Sequence, residues 1–317
     1  MEAILTALLA PPPLVEATRL DEFFAGARGA LRGLSPIGAA LVGGALADRL
    51  GFAFAAGYRG ALAALVPAGA DDEVASLCAS EAGGAHPRAI ATRLARGDAG
   101  WTLTGTKTFA TLGHDATVLW VVASTGVEEG ADGKPRNRLR LVRVRADAAG
   151  ITRRRLPDTP FAPEIGHAEI VFAGTPVADA DVQPGDGYER YLKPFRTVED
   201  VHVHAAATGF VSGVAARHGW PRELRERLAA GAAALVALAS ADPSSPAVHV
   251  GVEGALATAR RILDDAEPCW ASVDPAARQR WERDRPLFAV AQRARTLRLE
   301  AAWRALEVSR GQPAESP

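Results

Sequence analysis

The sequence predicts an α+β protein with N-terminal helices, a central antiparallel β-domain and a C-terminal helical bundle. Residues 14–66 are rich in Ala and Leu, and a similar helical pattern returns after residue 187. Between these regions, apolar runs suited to strands alternate with turns that contain Asp, Gly and Pro. These observations predict an N-terminal helical domain at 1–74, a β-domain at 75–186 and a helical bundle at 187–317.

Apolar periodicity predicts the individual helices of the two flanking regions. Pro221 and Pro275 suit the first turn of a helix, whereas Pro286 should kink or split the helix that contains it. Pro67–Gly69 should close the first helical region, and Gly311–Pro317 resembles a frayed tail. The candidate helices are Glu16–Leu31, Ile37–Leu50, Phe52–Leu65, Thr197–Ala216, Pro221–Ala239, Val252–Ala266 and Pro275–Leu306.

The β-domain contains one segment with a hairpin-like pattern. Within Gly97–Gly113, two runs of alternating polar and apolar residues flank Gly105-Thr106, which predicts paired strands with a turn at that dipeptide. Val118–Ala123 suits a buried strand, and a Gly-rich turn is expected between Glu128 and Asn137. Further strands are predicted at Leu139–Val144 and Ala168–Phe172.

Composition and charge exclude several classes of protein. The chain has 317 residues with 48% hydrophobic and 23% charged residues, as is typical of a globular protein. Its net charge of −1 gives no field that would attract nucleic acid or an anionic membrane. Cys78 and Cys269 fit no metal or disulfide spacing, so we expect a reduced cytoplasmic location. The apolar run 3–10 has no basic region before it, and charges interrupt the apolar stretch 37–64, so neither a signal peptide nor a membrane span is expected.

Two segments of the predicted β-domain carry a family resemblance. Ser80-Glu-Ala-Gly-Gly-Ala-His86 is a Gly-rich loop, and Gly105-Thr-Lys-Thr-Phe-Ala-Thr111 follows it on a strand. In this order and spacing they resemble the flavin-binding middle domain of the acyl-CoA dehydrogenase superfamily. The similarity extends from about Leu77 to Gly213, and more loosely to about Gly311. Helices, β-domain and helical bundle follow one another in the same order in that family.

The resemblance implies an FAD cofactor and the residues that would hold it. Phe109 stands at the aromatic position beside the isoalloxazine, and Thr111 at the residue near flavin N5. A flavin requires such a flat aromatic wall, together with hydroxyl and backbone donors that tune its electron affinity. The implied cofactor-binding residues are Ser80, Gly83, Gly84, Phe109 and Thr111.

The resemblance also suggests where a substrate would bind. His86 stands where the family has a substrate-side Ser, although a lone histidine equally suits a structural hydrogen bond. Lys193, Arg196 and Tyr188 form a cluster that could hold a CoA phosphate or an acidic group, or could simply be a solvated helix start. His86 and Arg196 are therefore the predicted substrate-binding residues.

Glu199 is the predicted catalytic base. The chain has no Gly-Gly-x-Gly-Tyr segment, after which most family members place the base. In a minority of members the Glu that acts as the catalytic base lies early in the first helix of the bundle, ten residues before a Gly. Glu199 and Gly209 have this spacing, with Asp200 in place of the usual neighbouring Arg. A facing Asp200 would raise the pKa of Glu199, but we expect the two side chains on different helix faces.

Three functions are compatible with these residues. The first is oxidation of an acyl thioester, or a similarly activated substrate, at Cα–Cβ. Glu199 takes the α-proton and the flavin takes the β-hydride, after which the reduced flavin passes its electrons to an acceptor. The second is a flavin monooxygenase or oxidase that uses His86 or His202, which oxygen consumption without another acceptor would reveal. The third is a degenerate, non-catalytic homologue acting as a subunit, which would take up no FAD.

Two further patterns concern metals and partners. Glu199 and His202 form a Glu-x-x-His pair, but the other copy, Glu164–His167, lies in the β-domain, so no metal site is predicted. An apolar bundle surface near Trp281 and Trp303 predicts a homo-oligomer, most simply a two-fold dimer. The arginines of the last helix should be solvated or paired with Glu282 and Glu300. They are Arg293, Arg295, Arg298 and Arg304.

Overall fold

The computed structural model of this chain describes residues 1–10, 13–66, 74–98, 100–130 and 133–309. It divides into two compact units. The predicted segment Pro67–Gly69 and the tail Gly311–Pro317 lie outside the described residues. The three-domain division stays a prediction, and each unit is described separately below. The helical unit comprises Met1–Leu65, Pro160–Ala162 and Phe195–Pro317, and the β unit comprises Val66–Thr159 and Pro163–Pro194.

The α+β class and the order of helices, sheet and helices are confirmed. Pro286 lies in the short 3₁₀ segment Arg285–Ala289, which separates the last two helices as expected. A π-helical turn at Tyr188–Leu192 leads directly into the helix that carries Glu199. The α-helices are α1 Glu2–Leu9, α2 Leu20–Leu31, α3 Pro36–Leu46, α4 Leu50–Leu65, α5 Lys193–Arg217, α6 Arg222–Ala239, α7 Pro246–Ala266, α8 Pro275–Asp284 and α9 Gln292–Ser309.

Side-chain caps explain where two of these helices begin. The Ser35 hydroxyl accepts a hydrogen bond from the Gly38 N–H at 3.3 Å, and Pro36 occupies the first position of α3. Asp274 accepts hydrogen bonds from the N–H groups of Ala276 and Ala277 ahead of α8. Each cap satisfies backbone donors that have no partner within the helix.

Glycines allow α3 and α5 to pack with their backbones in contact. A Cβ added to Gly44 would lie 1.9 Å from the Ala206 carbonyl oxygen. A Cβ added to Gly209 would lie 2.0 Å from the Leu41 carbonyl oxygen. No side chain fits at either position, so the register between α3 and α5 depends on these two glycines.

The apolar composition of α3 is explained by its burial. Nine of its residues, from Ile37 to Leu46, are buried. Among the described residues, no single helix is both long enough and apolar enough to cross a bilayer. Only α2 and α3 taken as a pair, bent by 119°, meet the length and composition criteria.

The β unit contains a seven-stranded sheet with strand order β1-β4-β2-β3-β7-β6, in which β5 also pairs with β4. The predicted sheet was antiparallel, and four strand pairs are so. However, β1 and β2 both pair with β4 in parallel, so the sheet is mixed. The strands are β1 Ala75–Cys78, β2 Arg93–Gly97, β3 Gly100–Ala110, β4 Val118–Glu129, β5 Pro135–Arg145, β6 Ile151–Arg155 and β7 Ala168–Val177.

The predicted turn at Gly105-Thr106 is wrong in position. β3 continues through Gly105, and the connection between β2 and β3 lies between Gly97 and Gly100. A Cβ added to Gly105 would lie 2.6 Å from the Thr92 Cα. Gly105 is therefore required for the close approach of two chain segments, next to a register shift between β3 and β7.

Candidate functional site

A buried ion pair joins the Gly-rich loop to strand β3. The Lys107 side chain is fully buried, and its Nζ lies 2.7 Å from Glu81 Oε1. Lys107 also donates to the carbonyl oxygens of Val122 and Ala79, at 2.7 and 3.3 Å. All of these contacts fix the ammonium group, as a buried charge requires.

The Glu81 carboxylate is also bound by backbone donors. It accepts hydrogen bonds from the N–H groups of Ala91 at 2.8 Å and Thr92 at 3.1 Å. Burial acts to raise the pKa of Glu81, but Lys107 and these donors outweigh it and hold the pKa below its usual value. Glu81 thus remains a carboxylate that ties the loop to β2 and β3.

The Gly-rich loop lies directly beside the strand that carries Phe109. The Ser80 carbonyl oxygen accepts a hydrogen bond from the Thr108 N–H at 2.9 Å. Glu81 and Gly84 exchange backbone hydrogen bonds, and Gly84 has a φ of +92°, which favours glycine. Gly83 and Gly84 are exposed and Ser80 is half-buried. The structure therefore brings the predicted loop and strand residues together.

Phe109 presents an exposed aromatic face on this strand. Its side chain is 49% exposed, although phenylalanine is among the residues most often buried. The ring stacks on the imidazole of His167, with centroids 4.3 Å apart and an interplanar angle of 25°. Burial lowers the pKa of His167, which favours the neutral imidazole. No sequence pattern predicts this partner.

Two further side chains, which no sequence pattern predicts, hold the segment that follows strand β3. The Ser76 hydroxyl donates to the Thr111 carbonyl oxygen at 2.7 Å. Arg153 donates from one guanidinium nitrogen to the carbonyl oxygens of His114 at 3.0 Å and Ala116 at 2.9 Å. Thr111, which is half-buried, is thus part of a fixed backbone segment.

His86 lines a cavity of about 380 Å³ in the β unit. Its Nδ1 accepts a hydrogen bond from the Arg88 N–H, at 3.3 Å. The cavity is lined by three basic side chains, and one of them, Arg136, lies 3.6 Å from Asp186. Such a lining suits a phosphate group. The basic residues are Arg88, Lys134 and Arg136, and Asn137, Asp186, Tyr188 and Glu189 also contribute.

Glu199 lies on α5 of the helical unit and is half-buried. Loss of hydration raises its pKa to about 8, with a smaller contribution from the charge of Asp200, while arginines at 196, 295 and 298 act in the opposite direction. A carboxyl group with such a pKa can accept and release a proton near neutral pH. Arg196, one turn earlier on the same helix, is exposed.

Asp200 is bound by two arginines of α9. Arg295 Nη1 lies 3.2 Å from one carboxylate oxygen, and Arg298 Nη2 donates to the other. Arg295 is only 4% exposed. The prediction that α9 arginines are solvated or paired with Glu282 and Glu300 is wrong for these two, because both reach the Asp200 carboxylate on α5.

The two histidines on α5 are buried and bound to their own helix. His202 Nδ1 lies 2.8 Å from the Val198 carbonyl oxygen, and His204 Nδ1 lies 2.8 Å from the Asp200 carbonyl oxygen. Since a carbonyl only accepts, Nδ1 carries the proton in each ring. In the described part of the chain, no three His, Cys, Asp or Glu side chains are grouped so that they could hold a metal ion.

Comparison with known proteins matches one segment of the chain to a sequence family and the whole chain to a known fold. Residues 76–175 match the sequence family of the acyl-CoA dehydrogenase middle domain. This segment contains the Gly-rich loop, Lys107 and Phe109, and the whole chain shares the fold of solved superfamily members. Residues 76–175 are therefore similar to the middle domain of acyl-CoA dehydrogenases, and the chain as a whole has the acyl-CoA dehydrogenase fold. No curated protein sequence matches it.

Solved acyl-CoA dehydrogenase-like structures share the fold over nearly the whole chain. Butyryl-CoA dehydrogenase from Megasphaera elsdenii has a TM-score of 0.63 at 15% identity, covering 90% of this chain and 88% of that one. PigA in complex with FAD has a TM-score of 0.66 at 12% identity, with 95% and 96% covered. The prolyl acyl carrier protein oxidase AnaB gives the same four values. The fold is thus that of flavoprotein dehydrogenases and oxidases.

Proposed function

We propose that this chain is an FAD-dependent oxidoreductase that oxidises an acyl thioester, or a similarly activated substrate, at Cα–Cβ. The observation that supports this proposal most is the exposed Phe109 ring beside the Gly-rich loop, within the segment that matches the flavin-binding family. An aromatic ring exposed on a rigid strand gains contact area when a flat cofactor covers it.

The residues on this surface fit a flavin. The aromatic face of Phe109 would pack beside the ring system. The Thr111 hydroxyl and the backbone of Ser80, Gly83 and Gly84 would supply polar contacts. The glycines leave the loop backbone open to a ligand. When bound, a flavin supplies the acceptor for the hydride that leaves Cβ.

Within this proposal, the residues of the chain bind the substrate and move one proton. Glu199 accepts the α-proton on its carboxylate, and its raised pKa matches that task. The cavity lined by Arg88, Lys134 and Arg136 would hold the phosphate of the thioester carrier, with His86 at its edge. Arg196, exposed on α5, is a second candidate contact for an acidic group.

A second candidate is an oxidase that acts on a carrier-bound acyl group. It is favoured by the likeness to PigA and to AnaB, the latter described as a prolyl acyl carrier protein oxidase. In this case the electrons pass to oxygen, whereas a dehydrogenase passes them to another protein, such as an electron transferring flavoprotein.

The absorption spectrum of the purified protein, with and without added FAD, tests the proposal directly. A bound flavin that acyl-CoA bleaches anaerobically supports the dehydrogenase. Bleaching by an aminoacyl carrier protein, with hydrogen peroxide formed in air, supports the oxidase. A colourless protein that takes up no FAD would contradict both and favour a non-catalytic subunit.

Phe109→Ala should weaken FAD binding by about 1–3 kcal/mol, the usual scale for loss of an aromatic stacking partner. This corresponds to roughly a 5- to 150-fold higher Kd. Fluorescence titration of the apoprotein with FAD measures it. Val127→Ala, at a valine 67% exposed on β4, is the matched control and should bind like the parent. Equal affinity in both variants would exclude Phe109 as the flavin wall.

We further propose that the chain forms a two-fold dimer through the outer face of α9. Trp281 was expected on this surface but is 3% exposed and stacks on Trp270, so it belongs to the core. Leu297 and Val308 are 56% and 68% exposed and lie opposite the buried Arg295. Glu300 and Arg304 share their face, so an antiparallel second copy would place Glu300 beside its Arg304.

Leu297→Glu should therefore convert a dimer to a monomer, because it places a charge in an apolar contact at two symmetric positions. Sedimentation velocity at micromolar concentration measures the change. Val127→Glu, at an equally exposed position on the sheet, should remain dimeric. A parent protein that sediments as a monomer, or a Leu297→Glu variant that stays dimeric, would rule out this interface.

A further inference from the structure

Glu199 and Asp200 are adjacent carboxylates on α5. A second negative charge beside Glu199 favours its protonated form, so a positive charge that neutralises Asp200 keeps Glu199 able to accept a proton. Successive residues of an α-helix are turned by about 100°, so the two side chains leave α5 in different directions. Asp200 is directed toward α9, where it meets Arg295 and Arg298. Its side chain is only 12% exposed. The direction of Asp200 is therefore fixed by its partners on α9.

Of the two arginines on α9, Arg295 is also held by groups other than Asp200. Arg295 Nη2 donates to the Phe288 carbonyl oxygen at 2.9 Å and to Gln292 Oε1 at 3.2 Å. Arg298 is one turn along on the same face of the helix, and its side chain is 19% exposed. Each guanidinium reaches a different oxygen of the Asp200 carboxylate. The two guanidinium groups thus bind one carboxylate together, and Arg295 is also held by contacts of its own.

We propose that Arg295 and Arg298 are positioning residues for Glu199: they hold the Asp200 carboxylate against α9 and neutralise it, leaving Glu199 as the proton acceptor. This inference rests on the proposed function, because it concerns the base of that reaction. No sequence pattern predicts such a role for the arginines of α9.

The charges around Glu199 agree with this arrangement. On α5, Asp200 raises the pKa of Glu199 and Arg196 lowers it, and on α9 both Arg295 and Arg298 lower it. His204 is buried beside the Asp200 carbonyl, and burial lowers its pKa, so it adds no positive charge near neutral pH. Arg196 and the two α9 arginines thus all oppose the effect of Asp200 on Glu199, but only the α9 pair binds the Asp200 carboxylate itself.

Substitution of Arg298 tests the proposal, since this side chain is less buried than Arg295. Arg298→Gln should raise the pH midpoint of Glu199 protonation by about 0.5–1 unit, and Asp200→Asn should lower it. Arg298→Lys should restore most of the parent value. Arg293→Gln removes the same charge from an exposed position of α9 and serves as the control, with no shift expected.

Two readouts separate this inference from the proposed function. One is the pH profile of anaerobic flavin reduction by a thioester substrate. The other is the infrared C=O band of the protonated Glu199 carboxyl group, identified by its absence in Glu199→Gln, which requires no catalysis. If Glu199→Gln reduces the flavin at the parent rate, the base assignment fails, yet the infrared midpoint still tests the arginines.

A double substitution distinguishes holding Asp200 from simply adding positive charge. In the Asp200→Asn background there is no carboxylate to hold, so Arg298→Gln should shift the midpoint much less than in the parent. An equal shift in both backgrounds would show an additive charge effect and overturn the positioning role. An unchanged infrared midpoint in folded Arg298→Gln would overturn the inference altogether.

Discussion

Glu199→Gln should bind FAD like the parent and slow its anaerobic reduction by a thioester substrate by at least about 10²-fold. The amide resembles the protonated carboxyl group in shape but accepts no proton from carbon. Stopped-flow absorbance of the flavin band measures the reduction rate. Glu282→Gln, at an exposed carboxylate on α8 that pairs with Arg278, is a control expected to reduce at the parent rate.

The same experiment has a defined pH dependence. Glu199 acts as a base only when ionised, and its pKa is raised to about 8. The reduction rate of the parent should therefore increase with pH and level off above that value, whereas the residual rate of Glu199→Gln should lack this step. A parent rate that is flat between pH 6 and 9, or an undiminished rate in Glu199→Gln, would remove Glu199 from the mechanism.

Lys107→Met should destabilise the protein by about 3–5 kcal/mol, because it leaves the Glu81 carboxylate buried without its cation. Chemical unfolding followed by circular dichroism measures the loss as a lower midpoint. The double variant Glu81→Gln/Lys107→Met removes both charges and should recover part of the stability. Arg138→Met breaks an exposed pair with Glu128, 3.8 Å apart, and should cost no more than about 1 kcal/mol.

The pair also predicts how stability depends on pH. The pKa of Glu81 is lower in the folded protein than its ordinary value, so ionised Glu81 stabilises the fold above the ordinary glutamate range. This contribution is lost as pH falls through the folded pKa. The gap between the parent and the double variant should therefore shrink on acidification. A gap that is constant with pH would contradict the role given to the pair.

The sequence predicted the fold class and the surface around Phe109 because both depend on local patterns. Helical periodicity, strand alternation and a short motif are readable within a few residues. The turn assigned to Gly105 shows the limit of this reasoning. A glycine that admits a neighbouring strand and a glycine that makes a turn look alike in sequence.

Contacts between residues far apart in the chain could not be predicted from the sequence, for a different reason. Lys107 and Glu81 both belonged to recognised segments, but their contact depends on how loop and strand pack. Asp200 and Arg295 are 95 residues apart. In the sequence, Glu282 and Glu300 are nearer candidate partners for the arginines than Asp200 is. Only the tertiary structure shows that Arg295 and Arg298 pair with Asp200.

The backbone contact at Gly209 has a consequence for how Glu199 is placed. Glu199 and Gly209 lie ten residues apart on α5, which is about 15 Å along the helix axis. Because Gly209 touches the Leu41 carbonyl, this contact fixes α5 at that point. The position of Glu199 along the helix axis and its rotation about the axis follow from it. One residue inserted between Glu199 and Gly209 would rotate the carboxylate by about 100° relative to that contact. The number of residues between Glu199 and Gly209 therefore sets where the carboxylate lies. We expect substitutions at these two positions to be tolerated less well than substitutions between them.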